Sequence, residues 1–398
     1  MDLILVLNCG SSSIKYTLFD MKQETEVAAG SVERIGEAQP LLKHAWGDDA
    51  IERMIEAADH TAALMQIRDV LLDPARGPQV NVMAVGHRVV HGGETFFKST
   101  LINKQVEQTI QEYSSLAPLH NPPNLAGITA AEQFFPDVPH VAVFDTAFHQ
   151  SMPEHAYLYA LPYELYEEER IRKYGFHGTS HRFVSMRAAE ILDKPAGFTG
   201  ITCHLGNGCS LAAVKDGNSV DTSMGLTPLE GVVMGTRSGD IDPAIIFHLA
   251  ETRGMELKDI NQLLQRRSGL LGVSGVSNDL REIQQAAAAG DHRAELAQAI
   301  YAYRVRKYIG SYLAALGRAD AVVFTGGVGE NGTNMRRRIM EGLDNLGLVL
   351  DTQRNQKCIG EEGDISTVAS PVKILVIPTN EELLIARDTY AVVKEAGA

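Results

Sequence analysis

Residues 3 to 20, LILVLNCGSSSIKYTLFD, run from one apolar stretch through a Gly/Ser turn into a second apolar stretch, the pattern of a β-hairpin. The turn, Asn8-Cys9-Gly10-Ser11-Ser12-Ser13, suits close approach by an anion. Gly10 allows backbone angles and proximity that a side chain forbids, and successive amides with three hydroxyls can donate hydrogen bonds. Gly and Ser make ordinary turns equally well. What sharpens the reading is a second copy at Ile201, ITCHLGNGCSLAAVKDG, where Leu205, Gly208 and Ser210 match Leu7, Gly10 and Ser12 about half the chain later. This repeat predicts two similar domains, each presenting a phosphate-facing hairpin, with a nucleotide between them.

A chain of 398 residues is long enough for two or three domains with substantial cores. Its formal charge of −14 argues against nucleic acid or an anionic membrane surface as partner, so an anionic substrate must be met by a local basic pocket. Cys9, Cys203, Cys209 and Cys358 have no paired spacing, which suggests neither a disulfide framework nor a thiolate zinc site and predicts a reducing compartment. The chain opens on a strand with Asp2 rather than a basic leader, and no uncharged apolar run approaches the ~18 residues of a spanning helix. A cytoplasmic protein is expected.

Alternating strand and helix patterns predict an α/β fold. Apolar spacing predicts a helix over 51–72, ended by DPARGPQ, then strands at 80–85 and 88–90, a helix over 124–135 and a buried strand over 138–144. The Pro-, Tyr- and Glu-rich segment from Ser151 to Tyr174 places a domain boundary near residue 147. Beyond the second hairpin come a loop-rich stretch, 221–243, and helices over 244–252, 256–264 and 293–316. A strand at 321–325 enters Gly326-Gly327-Val328-Gly329, and a strand at 373–377 leads through Pro378-Thr379-Asn380 into a terminal helix over 381–394, expected to pack on the first domain.

Several polar residues stand at the ends of apolar strands, where open α/β sheets collect ligands. Asp145 follows VAVF; it can hold a cation or orient a substrate, and an aspartate there can equally cap the next helix. Arg88, in HRVVHGG, and Arg237, in MGTRSGDIDP, offer planar forks that fit carboxylate and phosphate. His87 and His91 are four apart, as are His177 and His181, yet this spacing makes a metal pair only on a helix. Val89-Val90 favours strand, and Gly178-Thr179-Ser180 favours a loop or helix start. His177, in YGFHGTSH, could donate to a transferring phosphoryl group or be a packed structural residue. The glycines of TGGVGEN, 325–331, suit backbone approach to a nucleotide, without the P-loop lysine pattern or a GxGxxG after the first strand.

Taken together, LNCGSSSIK, GHRVVHGGE, APLHNPPN, VAVFDTAFH, YGFHGTSH, CHLGNG, DTSMGLTPLEGVVMGTRSGDIDP, FTGGVGEN and IPTNEE closely resemble the acetate and propionate kinase family, in its order and over nearly the whole chain. That family sits in the sugar kinase, heat-shock chaperone and actin superfamily. The resemblance implies an α/β fold of two duplicated actin-like (ribonuclease H-like) domains flanking a nucleotide cleft. Residues 1–146 with 383–398 would form the first domain, and 147–382 the second, nucleotide-binding and dimerising one. It further implies reversible phosphoryl transfer between ATP and a short-chain carboxylate such as acetate, giving ADP and an acyl phosphate such as acetyl phosphate. The cofactor would be Mg2+, with Mn2+ as the alternative ion, and the assembly a homodimer.

By the same resemblance, Asn8 and Glu381 would place the metal, and Ser11, Ser12 and Lys15 would belong to the first phosphate-facing hairpin. Arg88 and Arg237 would bind the carboxylate and the phosphoryl group, Asp145 would position the attacking or leaving oxygen, and His177 would stabilise charge in transfer. His120 and His204 would border the cleft. Gly206, Asn207 and Gly208 would approach the phosphates, while Asp279, Leu280, Arg281, Gly327, Gly329 and Asn331 would surround the adenosine. Val90 would line the acyl pocket, where a branched side chain favours acetate over longer acids. Cys209 stands where relatives often have Gly or Ser, and is expected to be a small packed residue rather than a redox sensor. The competing classes are a propionate- or butyrate-preferring kinase and a non-enzymatic actin- or chaperone-like nucleotide-dependent protein.

Overall fold

The structure is a computed structural model that describes all residues except 74–76, 78–80, 119 and 398. The chain forms two compact units, Met1–Phe148 with Asn380–Ala398, and His149–Thr379.

The first unit is built on β1 (Leu3–Cys9), β2 (Ser13–Asp20), β3 (Thr25–Glu33), β4 (Leu41–Trp46), β5 (Asp49–Met54), β6 (Ala84–Val89), β7 (Thr100–Leu101) and β8 (His140–Phe144), in the sheet order β5-β4-β3-β2-β1-β6-β8-β7. β1 pairs antiparallel with β2, whereas β1, β6 and β8 run parallel. Side chains alternate across the sheet. Leu3, Leu5 and Leu7 of β1 join Leu64 and Ile67 of helix His60–Leu72 and Ala130 and Ala131 of helix Asn121–Phe134 in one core layer. Ile4 and Val6 face the other way, against Ile385 and Ala386 of the terminal helix Glu381–Ala396. With both faces covered, the parallel strands read as nearly continuous apolar runs.

The second unit holds β9 (Gly200–Leu205), β10 (Cys209–Lys215), β11 (Asn218–Thr222), β12 (Ala321–Thr325), β13 (Gly363–Asp364) and β14 (Lys373–Val376), ordered β11-β10-β9-β12-β14-β13. β9 and β10 form an antiparallel hairpin, and β12 is parallel to both β9 and β14. The core order of the first sheet, β3-β2-β1-β6-β8, is therefore repeated as β11-β10-β9-β12-β14. The duplication expected from the two hairpins is real at the level of topology. It is not real residue by residue. β1 and β2 close on Cys9 and Ile14, leaving Ser12 in the turn, whereas β9 and β10 close on Leu205 and Cys209, so Ser210 already lies in a strand and is fully buried.

Three local expectations change. The helix predicted over 51–72 merges two elements: residues 49–54 are the edge strand β5, and the helix starts only after Asp59, whose carboxylate accepts from the Ala62 amide at 2.8 Å. The strands predicted at 80–85 and 88–90 are a single strand, β6, with Gly86 and His87 in its middle, because both edges are paired; Val80 lies outside the described residues. The glycines after β12 form a short helix, Gly326–Asn331, rather than an open loop. Gly326 has φ +73°, and a Cβ there would sit 2.8 Å from the Leu205 carbonyl, so this corner requires glycine.

Candidate functional site

In the first unit the polar groups gather at the carboxyl ends of the parallel strands. Asn8 lies near the end of β1 and pairs across the hairpin with Lys15. Arg88 is the penultimate residue of β6, and Asp145 follows β8. The guanidinium grips the carboxylate through two parallel hydrogen bonds, Nε to Oδ1 at 3.0 Å and Nη2 to Oδ2 at 2.7 Å. Asp145 is buried while 23% of the Arg88 side chain stays exposed, leaving part of the fork accessible. Asp145, and then Glu381, push the Arg88 guanidinium upward, so it stays charged.

Glu381 opens the terminal helix beside this pair. Its Oε2 is enclosed without a hydrogen-bond partner among the described residues, and burial raises its carboxyl to about 7, opposed by Arg88 and reinforced by Asp145. An enclosed carboxylate lacking a partner, with the Asn8 amide and Lys15 on the neighbouring hairpin, has the chemistry of an incomplete cation site. Among the described residues no group of three His, Cys, Asp or Glu could hold a metal ion by itself.

In the second unit a histidine at a helix start meets another near the end of β9. His177, half-buried, caps helix Gly178–Ile191 with φ 55° and ψ 25°, a left-handed backbone that a non-glycine residue rarely adopts. Its ring stacks on His204 of β9, with centroids 4.3 Å apart. A Cβ added to Gly208 would meet His177 Nε2 at 3.5 Å and Arg237 Nη1 at 3.6 Å, so this glycine opens the space that both side chains face. Arg237 donates to the Pro228 carbonyl at 3.3 Å and to Met234 Sδ at 3.7 Å. It has no carboxylate partner among the described residues, and burial lowers its guanidinium. A partly desolvated cation without a counter-ion is poised for an anion.

Asn207, at the tip of the second hairpin, accepts from Asn278 Nδ2 at 3.0 Å, which ties the hairpin to the segment before Asp279. Asp279 caps helix Leu280–Ala288 and holds Arg281 through a two-bonded ion pair, while Leu280 is buried under them. Asn331 donates to the Gly327 carbonyl at 3.0 Å. Gly327 is exposed and faces open space, but Gly329 is buried against Phe324, so only the former offers a free backbone edge.

Residues 3–387 match the model of the acetokinase family. The chain belongs to the acetokinase family. It is 53% identical to an acetate kinase from Desulfitobacterium hafniense, over 98% of this chain and 99% of that one. A crystal structure of Porphyromonas gingivalis acetate kinase superposes with a TM-score of 0.95 at 46% identity, covering 99% and 100% of the two chains. A Francisella tularensis propionate kinase structure gives 0.93 at 45%, covering 98% and 100%.

This acetokinase-family chain also uses residues that motif reading alone did not single out. Asn124 accepts from the Val90 amide at 3.0 Å and donates to the Cys9 carbonyl at 2.7 Å, while Asn121 brackets His91 from both sides. These two buried asparagines fix the backbone on which Val90 sits; their signal is the polar pair three apart at a helix start, in HNPPN, with His120 just ahead of the helix. Glu330 Oε1 accepts from the Gly326 and Thr379 amides at 2.8 and 3.1 Å, so the first amide of the glycine helix is taken by its own side chain. The histidine pairs do not converge on metal-like points. His87 Nε2 meets His140 Nδ1 at 2.9 Å, while His91 Nδ1 accepts from the Gly93 amide. His177 and His181 both meet the hydroxyl of Ser210. Cys209 is fully buried, its thiol donating to the Gly206 carbonyl at 3.1 Å, and burial pushes it up to about 11, so it is a packing residue beneath the hairpin.

Proposed function

We propose that this chain is an ATP:acetate phosphotransferase acting reversibly, with the Arg88, Asp145 and Glu381 cluster serving the carboxylate and metal end and the Arg237, His177 and Gly208 cluster serving the phosphoryl end. The observation that carries the reading is Arg237: a partly buried guanidinium without a carboxylate partner among the described residues, beside a histidine held in a rare backbone conformation, at a glycine that leaves room for a ligand.

Acetate is already ionised at pH 7, so the reaction needs no general base. An acetate oxygen forms a bond to the terminal phosphorus of ATP as the bond to the ADP oxygen breaks, with no proton transferred. The protein's work is then positioning and charge neutralisation. Arg88 binds the acetate carboxylate with the part of its fork left accessible, and Asp145 orients it by holding the rest. Arg237 and His177 meet the negative charge spread over the transferring oxygens. Asn8 and Glu381 would hold Mg2+, or Mn2+ in its place, which when bound neutralises phosphate charge; Ser12 and Lys15 extend the same phosphate-facing hairpin. Gly206, Asn207 and Gly208 approach the ATP phosphates. Asp279, Leu280, Arg281, Gly327 and Asn331 surround the adenosine, with Gly329 packed behind them against Phe324, and His204 supports His177 by stacking.

A homodimer formed through the second unit is supported by helix Ala244–Arg253, which has no buried residue although it carries Ile245 at 41% and Phe247 at 65% exposure. A cytoplasmic location is supported by four free thiols; no helix among the described residues is long and apolar enough to cross a membrane. The test is trapping of acyl phosphate with hydroxylamine in the presence of ATP, Mg2+ and a panel of short acids. Acetyl hydroxamate is expected as the main product, and no hydroxamate from any acid would end the kinase reading.

A further inference from the structure

Beneath His177 runs a chain of buried polar side chains that extends away from the reacting end. His177 Nδ1 and His181 Nε2 each lie 2.8 Å from the Ser210 hydroxyl, and His181 Nδ1 lies 2.7 Å from the Thr202 hydroxyl. Ser210, His181 and Thr202 are all completely buried. Burial holds His181 far below the usual histidine range, with His149 and His204 adding to the effect, so it is neutral and carries a single N–H.

Counting protons fixes the direction of the chain. A neutral imidazole between two hydroxyls accepts from one and donates to the other, and a serine hydroxyl between two imidazole nitrogens donates to one of them. If the chain starts at His177 Nδ1–H, it passes through Ser210 and His181 and ends on Thr202 Oγ1, whose own buried O–H then has no acceptor among the described residues. If it starts at Thr202, every proton is used: Thr202 O–H to His181 Nδ1, His181 Nε2–H to Ser210 Oγ, and Ser210 O–H to His177 Nδ1. Buried donors are satisfied in native proteins, so the second direction prevails. We infer that Thr202, His181 and Ser210 form a one-way hydrogen-bond relay that fixes His177 as the tautomer carrying its proton on Nε2, the nitrogen that faces the opening at Gly208.

Ser210 is therefore a positioning residue: it touches no substrate but decides which nitrogen of His177 is a donor and which an acceptor. With the opposite polarity, a lone pair on Nε2 would repel the oxygens of a transferring phosphoryl group. The catalytic consequence rests on the role proposed for His177, whereas the tautomer does not, so the two can be tested apart.

Nitrogen NMR of the full-length, 15N-histidine-labelled protein, with the His177 signals assigned by their loss in His177→Asn, reads the tautomer directly. The expected result is a protonated Nε2 and an unprotonated Nδ1 in the wild type; protonation on Nδ1 would overturn the relay, and this measurement needs no core variant to fold. In Ser210→Ala the His177 tautomers are expected to mix and kcat to fall about tenfold, with KM for acetate and ATP little changed. Ser210→Thr, which keeps the hydroxyl, should restore the single tautomer. An unchanged tautomer in Ser210→Ala would overturn the proposal. A mixed tautomer with unchanged kcat would support the relay while removing His177 from phosphoryl transfer.

Discussion

Asp145 grips Arg88 through two parallel hydrogen bonds, whereas Arg237, in the second unit, holds the Pro228 carbonyl and the Met234 sulfur and no carboxylate among the described residues. Both arginines stand where substrate anions are expected, yet one already has its counter-ion and the other does not. A paired arginine is rigid, and presents a fixed edge to a small anion whose charge need not be fully neutralised. An unpaired one is costly in the free protein, and repays that cost when charge arrives, which raises affinity for the most highly charged species on the reaction path. The difference supports, on electrostatic grounds, the proposed division in which Arg88 takes acetate and Arg237 the phosphoryl group.

Removing each arginine should separate these roles. Arg237→Ala is expected to lower kcat by about a hundredfold to a thousandfold, the range for loss of a preorganised charge donor, without lowering thermal stability, since a desolvated cation is deleted. Arg88→Ala should lower activity and also destabilise the fold by about 3 to 5 kcal/mol, because it strands the buried Asp145 carboxylate. Arg88→Ala combined with Asp145→Ala should regain stability but not activity. Steady-state kinetics and thermal melts on the three variants check this. Equal stability losses for Arg237→Ala and Arg88→Ala would erase the distinction, and an unchanged rate in either would remove that arginine from the mechanism.

Glu381 resembles Arg237 in lacking a partner, with the opposite sign, and its pH dependence follows. Its carboxyl is raised from 4.5 to about 7, so between those values the folded protein binds more protons than the unfolded chain. Stability therefore falls as pH rises through that window, by about 1 to 3 kcal/mol from this group. A cation must displace the proton, so the Mg2+ concentration for half-maximal activity should rise as pH falls below about 7, approaching tenfold per unit. Glu381→Gln should melt higher than wild type at pH 8 and lose that steep pH dependence. A half-saturation constant flat from pH 8 to pH 5.5 would separate Glu381 from the metal.

The duplicated hairpins and the position of Asp145 just after a buried strand were legible in the sequence because apolar runs and glycine turns are local signals, whereas Arg88, expected at the start of a separate strand, lies near the end of β6. Less visible was anything set by pairing between distant segments. β5 escaped notice because its single inward apolar residue, Ile51, continues a helical spacing into the next element. Ser210 looked like the counterpart of Ser12, yet the shorter turn of the second hairpin moves it from the tip into a strand facing the histidines. The Arg88–Asp145 pair and the asparagines that pin Val90 arise from residues far apart in the chain, brought together by the order β1-β6-β8 and the helix packed over it.

The smallest expected effect concerns the acid that Arg88 holds. Val90 lies one residue beyond β6, half-buried, with its amide fixed by Asn124 Oδ1 at 3.0 Å. That bond pins the backbone that carries its two γ-methyl groups. An added methylene in a hydrophobic pocket changes discrimination by about 1 to 3 kcal/mol, so wild type should prefer acetate while still using propionate slowly. Val90→Ala should shift the ratio of kcat/KM toward propionate by about fivefold to a hundredfold, with little change for acetate. Asn124→Ala should relax the same selectivity less, because it loosens the support while keeping the methyl groups. If wild type prefers propionate, Val90 is not the residue that limits the acyl chain, and the boundary must be sought elsewhere around Arg88.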